Sequence, residues 1–209
     1  MARQTRQRIL DTALAMFNEQ GEPNVTTNHI ADEMDISPGN LYYHFRNKDD
    51  IIEQLFARYE ERMDAALVTP EARLPDLEDI WLQLHLVFEC IWDFRFLYRD
   101  LIDILSRNRR LRMRFARILK RASESSVEVM RGLVRASIMR ASAAEIEATA
   151  TNILVIATFW LNYASATGER DEQVAIRKGI VQVMMLMAPF LRDAERVHLD
   201  TLTKAYRQV

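Results

Sequence analysis

Asn40, Tyr42, Tyr43 and His44 place an amide, two phenols and an imidazole within five consecutive residues, NLYYH. Their chemistry is recognition by hydrogen bonding and flat ring faces, and two phenols and an imidazole on one exposed turn are unusual for a merely solvated surface. Gly39 and Asn40 precede them with side chains small enough or polar enough to let the backbone approach a neighbouring surface. Catalysis finds no comparable set. His29, His44, His85 and His198 are scattered, with no HExxH, nucleophile elbow or glycine-rich phosphate loop near them. An enzyme is therefore not expected, and neither a metal site nor a cofactor is supported. Cys90 sits among Leu86, Val87, Phe88 and Ile91 and reads as a small buried hydrophobe; a single cysteine forms no intramolecular disulfide.

The contact turn needs a scaffold, and the stretch Thr26 to Phe45 supplies one. Thr26 or Thr27 caps a first helix of about two turns whose inward positions are Ile30, Ala31 and Met34. That helix cannot run through Ile36, because Ser37-Pro38 reads as a second cap followed by proline at the first helical position, where the missing N–H costs nothing. Leu41 and Phe45, four apart, face inward on the second helix. Upstream, Leu10, Ala13, Leu14 and Phe17 fall at i, i+3, i+4 and i+7 in a helix from Thr5 to Gln20, with Gly21 as its C-cap. Its stripe is expected to cover Ile30, Leu41 and Phe45.

Thr27, Ile30-Ala31, Ser37, Gly39, Leu41-Tyr42, His44-Phe45 and Lys48 match, in order and spacing, the DNA-binding signature of TetR-type transcriptional regulators, and residues 6 to 56 resemble that family. The resemblance implies an all-α fold: a three-helix helix-turn-helix head and a larger helical domain for dimerisation and ligand binding, about nine or ten helices in total. It implies DNA contacts from Thr27, Ser37, Pro38, Gly39, Asn40, Tyr42, Tyr43, His44 and Lys48. Asn40 and Tyr42 are expected to read bases, Tyr43 to touch phosphate, and Lys48 to clamp a phosphate at a helix N-terminus. Two positions depart from the pattern. Asp35 stands where the family usually has glycine, and Glu22-Pro23 where an aromatic often precedes helix 2.

Charge does not announce a nucleic-acid partner. The net charge is −2, and residues 1 to 48 carry Arg3, Arg6, Arg8, Arg46 and Lys48 against Asp11, Glu19, Glu22, Asp32, Glu33 and Asp35. Attraction to phosphate must come from placement rather than total charge. The most basic segment, Ser106 to Arg121, holds eight cations in sixteen residues around Leu111, Phe115, Ile118 and Leu119. A phosphate or anionic-ligand surface would look like this, and so would a solvated face paired with acids.

The remaining chain is helical by its spacing: 49% hydrophobic residues, five glycines and five prolines in 209 residues favour helices and a substantial core. Asn47 caps a connecting helix over 47–67 with Ile52, Leu55, Phe56, Tyr59 and Met63 inward, and residues 68–76, with Pro70 and Pro75, form the clearest loop. A helix follows over Leu77 to Phe96, then others over Ala143 to Ala166 and Glu172 to Arg192, with Pro189 kinking or ending the last. Leu202, Ala205, Tyr206 and Val209 keep helical spacing in a tail from 194. No uncharged apolar run reaches the roughly 18 residues a membrane span needs. The charged N-terminus lacks a signal-peptide core, so a soluble cytoplasmic protein without a membrane partner is expected.

These segments divide the chain into a DNA-binding domain over 1–46, the connecting helix over 47–67, a dimerisation and effector domain over 77–193 and a tail over 194–209. By resemblance the two late helices pair with their twins in a four-helix homodimer interface, with Val183 a representative interface residue; burial within one chain would give the same apolar pattern. Trp81, Phe88, Trp92, Phe115, Phe159, Trp160 and Tyr163 are candidates to line an effector cavity, although aromatics at helical spacing also make plain core. The expected function is a dimeric repressor on a palindromic double-stranded operator, released by a small, mostly apolar molecule. The alternative is a DNA-bound factor that recruits proteins and has no inducer.

Overall fold

The computed structural model describes residues 2–68 and 73–207. The described residues form eleven α-helices: α1 (Ala2–Gln20), α2 (Thr27–Glu33), α3 (Pro38–His44), α4 (Lys48–Ala66), α5 (Leu77–Asp93), α6 (Arg95–Arg99), α7 (Leu101–Arg107), α8 (Arg109–Arg135), α9 (Ala143–Ala166), α10 (Glu172–Met187) and α11 (Asp193–Arg207). Short 3₁₀ turns cover Glu22–Asn24 and Ala188–Phe190. The all-α fold expected from the sequence is present. Residues 69–72 of the expected loop and Val209 of the tail stripe lie outside the described residues.

The chain separates into two compact units, Met1–Arg62 with Asp93–Arg114, and Met63–Trp92 with Phe115–Val209. In the first, Ile9, Leu10, Ala13 and Phe17 of α1 meet Ile30 and Ala31 of α2 and Leu41 and Phe45 around α3, all buried. Each of the leucine, isoleucine and phenylalanine side chains contributes roughly 1.5–3 kcal/mol by leaving water. Gly21 ends α1 at φ 84, and its N–H donates to the Phe17 carbonyl at 3.0 Å. Asp35 takes the left-handed conformation at φ 52 between α2 and α3, at the position where the sequence departs from glycine.

The helix expected through Phe96 stops three residues earlier. Asn18 of α1, itself buried, donates from Nδ2 to the Asp93 carbonyl at 2.8 Å and accepts the Phe96 N–H at Oδ1, 3.1 Å away. One amide thus satisfies an orphan carbonyl at the end of α5 and an orphan N–H at the start of α6, which makes the break cheap. Phe96 then packs on Phe17 with ring centroids 5.3 Å apart. These contacts place residues 93–114 in the same compact unit as the head, a division that differs from the functional segments expected from sequence.

In the second unit α9 and α10 pack as an antiparallel pair against α5. Their approach depends on Gly179. A Cβ there would lie 2.7 Å from Trp160 Cδ1 and 2.8 Å from Phe88 Cε1. The indole N–H of Trp160 donates to the Ala175 carbonyl on α10 at 2.6 Å, fixing the ring against that gap. Pro189 ends α10 in a 3₁₀ turn, and α11 buries Leu199 and Thr203. Among the described residues α9 is the one helix long and apolar enough to cross a bilayer. It buries Ile146, Ile153 and Leu161 inside the unit.

Gly179→Ala should lower stability by roughly 1–3 kcal/mol through overpacking. Asp35→Gly should be at least as stable as the parent, and Asp35→Val less stable by roughly 1–2 kcal/mol. Urea unfolding of the three variants checks both.

Candidate nucleic-acid interface

The exposed face of the first unit is built by two caps. Thr26 Oγ1 accepts the His29 N–H at 3.2 Å, and His29 Nδ1 accepts the Thr26 N–H at 3.4 Å, a reciprocal capping box that starts α2. Ser37 Oγ accepts the Asn40 N–H at 3.2 Å and Pro38 occupies the first turn of α3. With Leu41 fully buried, α3 must present its other positions outward. Pro38, Gly39, Asn40, Tyr42 and Tyr43 are all exposed, Tyr43 by 79%, and His44 is half-buried with its ring edge-on to Tyr43 at 5.1 Å.

Thr27 and Tyr42 act together. Their hydroxyl oxygens lie 3.0 Å apart and tie the first turn of α2 to the middle of α3, so the Tyr42 ring is fixed while its face stays open. Ser37 is engaged in its cap. The structure therefore gathers Thr27, Asn40, Tyr42 and Tyr43 on one surface, with Gly39 leaving the backbone beside them uncovered. An amide and rigid phenols at the start of a helix, with neighbouring N–H groups, can hydrogen-bond base edges and phosphate oxygens.

Lys48, expected to clamp a phosphate, is also tied to the chain itself. Its ammonium donates to the Glu22 carbonyl and the Val25 carbonyl, both at 3.0 Å, and faces Glu22 Oε1 at 2.8 Å in an ion pair. Two of its N–H groups are thus spent on carbonyls of the turn before α2, and its charge is shared with the Glu22 carboxylate. The Glu22 carboxylate is fully buried and is met from the other side by the Arg107 guanidinium of α7. The Glu22 N–H donates to Asp100 Oδ2 at 3.0 Å. In the sequence Glu22 stands out only as one acid among six and as a departure from the family pattern. Its partners are 26 and 85 residues away, so no local spacing reveals them.

Other cations of the basic segment are also spent on acids: Arg110 on Glu53 and Arg114 on Glu60 in the first unit, and Arg121 on Asp64 in the second. The Arg114 guanidinium also covers the Phe56 ring at 4.9 Å. Arg6 lies over the Phe45 ring at 4.8 Å.

The seven aromatics considered for an effector cavity do not share one place. Phe88 and Trp92 line a cavity of the second unit, and Trp81 stacks on His85, which lines it too. Phe115 is buried and Trp160 is committed to the α9–α10 contact. Phe159 and Tyr163 lie on the outside of α9, 44% and 60% exposed, because their positions are turned from the stripe that holds Thr158, Leu161 and Ala164. Val183, expected at an interface, is fully buried within the chain.

Glu22→Ala would leave Lys48 and Arg107 without their shared counter-charge. It should destabilise the protein by roughly 2–3 kcal/mol, less than a wholly buried pair because both cations are partly exposed. Chemical unfolding measures the loss.

Residues 9–55 match the family described as bacterial regulatory proteins, tetR family, and residues 58–199 match a bacterial transcriptional repressor family named TetR. Over 74 residues the chain is 31% identical to the HTH-type transcriptional regulator AcrR of Shigella flexneri, covering 35% of this chain and 34% of that relative. The chain thus spans about a third of that curated relative's length. The crystal structure of a TetR-family transcriptional regulator from Marinobacter aquaeolei VT8 is 36% identical, covers 97% of this chain and 98% of its own, and has a TM-score of 0.89. The SmeT–triclosan complex shares the fold at 20% identity, with a TM-score of 0.57 over 91% of this chain and 93% of its own. With both the head and the larger helical portion matched, and a likeness to a solved member that runs nearly end to end, the chain belongs to the TetR family of DNA-binding transcriptional regulators.

Proposed function

We propose that the chain is a homodimeric repressor that reads a palindromic operator with α3 and leaves it when a small molecule binds the second unit. The observation that carries the reading is the exposed constellation of Asn40, Tyr42 and Tyr43 on a capped helix, with Tyr42 braced by Thr27. In helix-turn-helix proteins the second helix of the motif enters the major groove, and dimers address half-sites roughly 34–36 Å apart or a multiple of it. Asn40 and Tyr42 read base edges, Tyr43 meets phosphate, and Gly39 admits the backbone. Residues 1–46 serve as the DNA-binding segment, 47–67 as connection, 77–193 for dimerisation and effector sensing, and 194–209 as a closing tail.

Dimerisation is supported by α9, which exposes Val155, Phe159 and Tyr163 at successive turns, with Met185 exposed on α10. A row of large apolar side chains of this kind marks a protein-binding surface. Two-fold symmetry is also what a palindrome requires. Response to a small molecule is supported by the cavity in the second unit and by the triclosan held by a protein of the same fold.

The test uses the duplex recovered when the purified protein selects from a random pool. Asn40→Ala and Tyr42→Ala should each cost roughly 1–3 kcal/mol on that site while the variants fold normally. Undiminished affinity in both would place the wrong helix in the groove. Phe159→Arg, on an exposed position, should yield a folded monomer in ultracentrifugation, and a persistent dimer would remove α9 from the interface.

A further inference from the structure

The cavity of the second unit is a groove of about 380 Å³ between α5, α10 and α11, within the range of small-molecule sites. Its two polar walls differ in one respect. On the α5 side, His85 is engaged at both ring nitrogens: Nδ1 lies 3.2 Å from the Tyr206 hydroxyl of α11, and Nε2 lies 3.4 Å from the Glu89 carboxylate. Burial and the nearby Glu89 carboxylate push the Tyr206 phenol above its ordinary pKa, against a hydrogen bond from Trp81, so the phenol stays protonated within hydrogen-bond distance of Nδ1. The Glu89 carboxylate on this wall thus lies beside the imidazole.

The α10 side carries Arg177, half-buried at the groove, with no hydrogen bond or ion pair to any other described residue. A guanidinium with its donors unspent, set on a wall with Ile176, Ile180 and the neutral Gln173 and facing Phe88 and Trp92, is a receptor for a planar anion carried on an apolar body. We propose that this groove binds an amphipathic monoanion, a carboxylate on an alkyl chain or ring, with the carboxylate on Arg177 and the body against Phe88, Trp92, Ile176 and Ile180. The site stands on its own geometry; only its role as the inducer site rests on the reading of the chain as a ligand-released repressor.

The probes are hexanoate, octanoate and decanoate, with 1-octanol and octylammonium as controls of equal length, titrated into the full chain by calorimetry. The carboxylates should bind with affinity rising roughly fourfold per methylene. Octanol and octylammonium should bind at least about tenfold more weakly than octanoate, as expected for loss of a charge-assisted pair. Arg177→Gln should bring octanoate down to the level of octanol, and Arg177→Lys should restore part of the preference. Octylammonium binding as tightly as octanoate, unchanged octanoate affinity in Arg177→Gln, or no binding by any carboxylate would overturn the proposal. Operator affinity measured with and without saturating octanoate separates the two readings. A drop supports both. Intact octanoate binding without a drop leaves the anion site in place and removes its inducer role.

Discussion

Among the described residues of the head, the Glu22 carboxylate is the one charge that has no access to water, and the geometry of that unit depends on how it is neutralised. A carboxylate taken out of water is tolerated only when opposite charge and donors surround it. Lys48 from the start of α4 and Arg107 from the end of α7 supply the charge, and Asp100 holds the Glu22 N–H. Three segments far apart in sequence therefore meet at one residue of the turn between α1 and α2. Because the Lys48 ammonium also takes the Glu22 and Val25 carbonyls, it fixes the backbone that leads directly into the Thr26 cap of α2.

From that fixed turn the recognition surface follows by short steps. The Thr26–His29 box starts α2, Thr27 holds the Tyr42 hydroxyl, and Ser37 and Pro38 start α3 with Asn40 in its first turn. Net charge plays little part in this arrangement. Arg107, Arg110, Arg114 and Arg121 are each paired with an acid, so four of the eight cations in the most basic stretch are internal ties. The field a phosphate backbone meets is set by the few cations left on the head and by the N–H groups at its helix starts, which explains how a chain with net charge −2 can belong to a DNA-binding family.

Much of this was legible in the residues. Caps, proline positions and apolar spacing locate α1 to α4 closely, because those signals are local, and the exposed turn from Gly39 to Tyr43 stands out by its chemistry. Long-range partners were not legible. The break after Asp93 depends on an amide at Asn18, and Lys48 turns inward because of a carboxylate 26 residues earlier. Spacing likewise could not separate the two faces of helices that are apolar nearly all round. Val183 proved to be core, while Phe159 and Tyr163, read as cavity-lining, face outward and are better suited to a partner subunit. The polar walls of the groove, from His85 to Arg177 and Tyr206, join three helices and carry no sequence motif at all.

The inward role of Lys48 separates this account from one in which the residue clamps DNA, and the two differ in a single observable. Operator affinity of Lys48→Met and of the parent should be compared across a range of salt concentrations. If Lys48 works by holding Glu22 and the turn before α2, affinity falls while the slope of log K against log salt stays the same, because no phosphate contact is lost. A slope reduced by about 1 in a variant that folds normally would show that the ammonium neutralises a phosphate, and would contradict the account.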